Sequence, residues 1–156
     1  MEVALHPASG PPFTQVELIA TLREWDELHS KIERDLASER LESTWPLVGV
    51  RAGTHPLAEL SLRVAGNAPG LKVAVEGNRL VVSGPPTGPR GISTFVYNVE
   101  FLARPDRFPG SLGPHLHLEP FESDDTSAYV QDSLPLIITR VWREAADEPS
   151  GFSLED

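Results

Sequence analysis

The stretch "LVVSGPPTGPRGISTFVYNVEFLA", residues 80–103, carries the strand-and-loop pattern on which the reading of the fold turns. It opens on an apolar run and passes into eight residues, 84–91, with three prolines and three glycines. Proline fixes φ and removes a backbone donor, and glycine permits tight turns, so 84–91 reads as a rigid loop. Beyond it, "TFVYNVEFLA" (94–103) places Phe95, Tyr97, Val99 and Phe101 at every second position. A period of two puts all four on one face of a strand, and 94–103 is predicted as strand.

Working outward, "LKVAVEGNRLVVS" (71–83) is two strands around Gly77-Asn78, a pair suited to the positive φ of a tight hairpin turn. "AELSLRVA" (58–65) alternates Leu60, Leu62 and Val64 with polar residues. On the other side, "RPDRFPGSLGP" (104–114) is a second rigid loop, followed by "GPHLHLEP" (113–120), the acidic "EPFESDD" and the apolar "SLPLIITRVW" (133–142). Pro135 cannot donate to a ladder and argues against a central strand in that last run. No internal repeat is legible.

Upstream, "HPASGPP" (6–12) reads as a flexible or extended lead-in. Thr14 and Glu17 have capping-box spacing, with Phe13 and Leu18 placed as a hydrophobic staple. Leu18, Leu22, Trp25, Leu28, Ile32 and Leu36 then form one apolar stripe, which predicts a core-facing helix over about 14–42. Pro46 bars Trp45 from helical geometry and ends it. The expected fold is therefore α+β: an N-terminal helix packed on an antiparallel meander sheet of four to five strands. The division is a lead-in over 1–12, a single domain over 13–143 and a polar tail over 144–156.

With 156 residues, one domain with a proper core is expected. The 23 acidic residues against 13 basic ones give a charge of −10, a field that repels nucleic acid and anionic membranes and favours a basic partner. There are no cysteines, which removes disulfides, thiolate metal sites and thiol nucleophiles. The start lacks a basic region followed by an apolar run, and no stretch approaches the roughly 20 apolar residues of a membrane span. A cytoplasmic protein without nucleic-acid or membrane partners is expected.

Little else resembles chemistry. The prolines of 84–91 lack the N–H groups that cradle a phosphate, and no nucleophile elbow of the G-x-S-x-G type occurs. His6, His29 and His55 show no partner spacing, and His29, near the helix stripe, reads as packed. His115, His117 and Glu119 alternate, so a strand would aim two imidazoles and a carboxylate at one face, a ligand set known in mononuclear iron sites. The competing reading is that Leu116 and Leu118 turn inward and the other three are simply exposed. Residues two apart on a strand lie nearly 7 Å apart at a rise of roughly 3.3 Å each, which is wide for chelation. No metal and no cofactor is expected.

The helix, the strands and the two proline loops together resemble a ubiquitin-conjugating domain. The resemblance rests on residues 80–120: Gly84-Pro85, Thr87, Pro89, Gly91, Phe95, Phe101, Phe108-Pro109 and Pro114. What it implies is a strand running into a Gly-Pro loop, an aromatic strand ending in Phe, and a further Pro before a fourth strand, "HLHLE". The departure is sharper. Pro135 occupies the position where the family's thioester-forming cysteine belongs, and "DTS" (125–127) replaces its His-Pro-Asn segment. The resemblance thus implies a catalytically dead, cysteine-less variant, not an enzyme. Such a variant is an adaptor that binds a ubiquitin-like protein, a conjugation-pathway enzyme or a peptide; as a domain that buries its own sheet face, it is expected to be a monomer or a small oligomer. Two other readings stand beside it. "LKVAVEGNRLVVSG" also resembles the core of a small heat-shock holdase, and the negative charge fits an acidic immunity or antitoxin protein covering a basic toxin.

Overall fold

The structure is a computed structural model that describes residues 1–7, 14–48, 50–51, 57–107, 115–118 and 128–141. Its strands are β1 (Glu2–Pro7), β2 (Thr14–Thr21), β3 (Glu42–Pro46), β4 (Val50–Arg51), β5 (Glu59–Val64), β6 (Lys72–Glu76), β7 (Arg79–Gly84), β8 (His115–Leu118) and β9 (Leu136–Val141). Two helices interrupt them, α1 (Leu22–Ala37) and α2 (Ile92–Ala103), with a single 3₁₀ turn at Pro105–Arg107. No helix among these residues is long and apolar enough to cross a membrane.

The α+β class holds, but there are two sheets and neither is a simple meander. One has the order β4-β1-β2-β9-β8 and the other β3-β5-β7-β6. Each is mixed: β2 runs parallel to β9, and β5 parallel to β7, over six residue pairs. The hairpin β6–β7 forms as expected, with Gly77 at φ 62° in its turn. β9 is an interior strand, contrary to the reading of Pro135. The proline precedes the ladder, so its missing N–H costs nothing, and its carbonyl accepts from Val16 N–H at 2.9 Å.

The expected helix over 14–42 is shorter and starts later, so the chain opens on strands and not on a helix. The capping-box spacing occurs twice, and the second copy is used: the Thr21 hydroxyl accepts from Glu24 N–H at 3.3 Å while the Glu24 carboxylate accepts from Thr21 N–H at 2.9 Å. Residues 14–21 form β2, with Val16, Leu18 and Ala20 fully buried on alternate positions. Glu2–Pro7, the start of the lead-in region, pairs antiparallel with β2. The tail over 144–156 lies outside the described residues.

The segment 94–103 is also corrected, from strand to helix. Ile92, Phe95, Val99 and Leu102 step by three and four residues and are fully buried, whereas Tyr97 is 57% exposed. The reason lies in the sheet. β7 already has β5 on one side and β6 on the other, so the chain leaving it finds no free ladder beside it. Both helices pack on each other, and α1 also touches β2, β3 and β9. One apolar cluster joins them to both sheets, with Trp25, Phe95, Leu18 and Leu80 at its centre.

Candidate functional site

Two hollows mark the surface beside α1. The larger, about 720 Å³, lies along its polar face between Asp26, Lys31, Arg34 and Trp45. Its charges are largely engaged: Lys31 with Asp35 and Asp26 with Arg104. The second, about 540 Å³, sits where the end of α1, the end of β5, the Gly-Pro loop and the first turns of α2 converge. Leu36, Leu41, Val64, Pro86 and Val96 give it an apolar floor, with Glu39, Arg40, Thr87 and Ser93 at its margin. Leu41 is 70% exposed there, the most exposed large apolar residue among those described. This second groove is the candidate site, because Leu41 stands open over apolar side chains that are only partly buried against the core.

Each wall is fixed by local hydrogen bonding. At the end of α1, Glu39 N–H donates to Leu36 O and Arg40 N–H to Asp35 O, both at 3.0 Å, the paired bonds of a Schellman motif. That motif requires a left-handed residue, and Glu39 fills the place at φ 56° where glycine is usual. Lys31 and the Ser43 hydroxyl hold the Asp35 carboxyl below the ordinary carboxylate range, which ties the helix end to β3. Val64 N–H then donates to Leu41 O at 2.8 Å and sets Leu41 over the groove.

The opposite wall is the Gly-Pro loop. Ile92 N–H donates to Pro85 O at 2.7 Å and Gly91 N–H to Gly88 O at 3.0 Å, while the Thr94 hydroxyl donates to Pro89 O at 3.1 Å. A Cβ on Gly91 would stand 2.4 Å from Thr87 O, so only glycine allows this approach. The loop is thus a fixed support for Pro86 and Thr87.

The residues singled out in the sequence lie elsewhere. His115 and His117 are exposed on the edge strand β8, with ring centroids 5.4 Å apart and edge-on, and Leu118 is buried beneath them. Leu116 is half-buried against the core. Glu119 lies outside the described residues, as do His55, Phe108-Pro109 and Pro114. Among the described residues no group of three His, Asp or Glu is placed to hold a metal ion. His29 is buried on α1, its Nδ1 3.6 Å from a Glu33 carboxylate oxygen. Pro135 lies at the mouth of β9, away from the groove. Pro86 and Thr87 were visible within the quoted loop, but Leu41 lies between α1 and β3, Val64 on β5 and Val96 on α2, and no local signal joins them.

The two faces of β8 lead to opposite expectations. Leu118→Ala should cost about 2–5 kcal/mol, as a buried leucine does. His115→Ala with His117→Ala should stay within about 0.5 kcal/mol per site, as for exposed positions. Urea unfolding of the three variants measures this, and a costly histidine pair beside a tolerant leucine would reverse the faces.

No family model, curated protein or solved structure matches the chain.

Proposed function

We propose that this chain is a non-catalytic protein-binding module that receives an apolar segment of a partner in the groove between α1, β5 and α2. The observation that carries this reading is Leu41, a leucine 70% exposed over an apolar floor whose walls are fixed by hydrogen bonds. Preorganised apolar concavities of this kind gain affinity because little must be ordered on binding. The partner class implied by the sequence resemblance, a ubiquitin-like protein or an enzyme of its conjugation pathway, is the first to test. In that reading the chain acts as an adaptor and forms no thioester, having no cysteine.

A second reading has its own support. Nine of the 23 acidic residues fall in 119–127 and 142–156, which carry one basic residue between them. Such blocks favour a basic partner, as an immunity protein's target would be.

Leu41→Asp separates the two. Under the groove reading it should weaken partner binding at least about tenfold, equivalent to about 1.4 kcal/mol, with an unchanged melting temperature. Under the acidic reading, binding should survive Leu41→Asp and collapse between about 0.05 and 0.5 M salt through screening. Titration of a ubiquitin-like panel and of basic proteins against both chains makes the measurement. Indifference to Leu41→Asp across the panel would end the groove reading.

A further inference from the structure

The two sheets follow one plan. In the first, the hairpin β1–β2 offers β2 to β9 in parallel, and β9 carries β8 antiparallel at the edge. In the second, the hairpin β6–β7 offers β7 to β5 in parallel, and β5 carries β3 antiparallel at the edge. Along the chain, and leaving aside the two-residue β4, this is β1-β2-α1-β3-β5 followed by β6-β7-α2-β8-β9. Each half is a ββαββ unit. Each sheet takes its first hairpin from one unit and its second from the other.

The agreement extends to single residues. Val16 beside Leu136 and Leu18 beside Ile138 fill the core side of the first sheet, as Leu80 beside Leu60 and Val82 beside Leu62 fill that of the second. At the edges Leu118 pairs with Leu136 as Trp45 pairs with Leu60. On the helices, Trp25, His29 and Ile32 repeat as Phe95, Val99 and Leu102, all buried at the same spacing. An irregular contact repeats too: Met1 O accepts from Val48 N–H, and Leu71 O from Val130 N–H, both at 2.9 Å. Met1 and Leu71 each stand two residues before the buried valine, Val3 or Val73, that pairs with Leu18 or Val82. Chance packing gives no reason for strand order, register, helix face and loop contact to recur together.

We infer that the chain is a fused dimer. Two ββαββ units, each completing its first hairpin's sheet with the second hairpin of the other, meet across an interface suited to a second copy of the unit. The link at 66–69, between Ala65, whose N–H donates to Gly84 O at 2.7 Å, and the buried Gly70, is then only a tether. It turns through Ala68 N–H to Ala65 O at 3.0 Å, and an added Cβ on Gly66 would meet nothing within 4 Å. The units also differ where the groove lies. Val64 and Val96, which line it, stand where the other unit has Arg140 and Asp26. The open apolar groove is therefore a property of one side and not a by-product of the fold.

The test uses the full chain with a protease recognition sequence inserted between Gly66 and Asn67. Before cleavage its circular dichroism should match the parent's. After cleavage the two fragments should co-elute at the size of the intact chain and keep that spectrum. Their melting temperature should now rise with protein concentration, because association has replaced the tether. Fragments that elute apart, a single fragment that keeps the native spectrum after separation in denaturant and refolding, or an insertion that abolishes folding would each overturn the inference.

Discussion

Trp25→Ala is expected to lower the free energy of unfolding by about 3–5 kcal/mol, the range for deleting a large buried aromatic side chain. Trp25 is fully buried on α1, and its indole N–H donates to Thr139 O at 3.0 Å. The helix is therefore fastened to β9, an interior strand of the first sheet, by both packing and a hydrogen bond. Alanine removes both and leaves a cavity that two helices and a sheet cannot all relax to fill. Trp25→Phe keeps most of the volume and loses the donor, so its hydrogen-bond loss should be nearer about 1 kcal/mol before any repacking cost. Urea denaturation of the three chains gives the numbers. A loss below about 1.5 kcal/mol for the alanine variant would mean that α1 is not anchored through Trp25.

That anchor was partly legible in the sequence. Trp25, Leu28 and Ile32 stood in the apolar stripe, and they are the buried face of α1. The start of the helix was not, because the same motif is spelled at Thr14 and Glu17 and again at Thr21 and Glu24. Leu18 and Leu22 extend the stripe upstream at helical spacing, yet Val16, Leu18 and Ala20 equally fit alternation. The decision is tertiary: β2 lies between β1 and β9, and a helix at 14–21 would split the sheet into the pairs β4-β1 and β9-β8. Local patterns carry no record of a parallel pairing between residues 16–21 and 136–141. β5, the β6–β7 hairpin and β8 were legible because each alternates or turns locally. The duplication is not legible in the sequence because equivalent positions share burial and not identity, as His29 and Val99 show. The groove escaped for a similar reason: Leu36, Leu41, Val64, Pro86 and Val96 meet only once four elements are in place.

The second large effect falls on the segment that misled the pattern reading. Phe95→Ala should cost about 3–5 kcal/mol and Leu102→Ala about 2–5 kcal/mol, since both side chains are fully buried on α2. Tyr97→Ala, at a residue 57% exposed, should stay within about 0.5 kcal/mol. The set is diagnostic because the two periodicities disagree over its members. A strand with Phe95, Tyr97, Val99 and Phe101 facing inward would make Tyr97 as costly as Phe95 and would spare Leu102. A helix joins Phe95 to Val99 and Leu102 and turns Tyr97 away. The backbone adds an independent reason for the helix: Arg104 N–H closes on Glu100 O at 2.8 Å, as a helix end does and a strand end does not. Glycine at 91 lets the loop press against the first turn, so α2 begins where the Gly-Pro loop ends and holds Val96 over the groove. Loss of Phe95 should therefore loosen the groove wall as well as the core, and binding should weaken in Phe95→Ala more than in Tyr97→Ala. Equal costs at 95 and 97, with Leu102→Ala tolerated, would restore the strand.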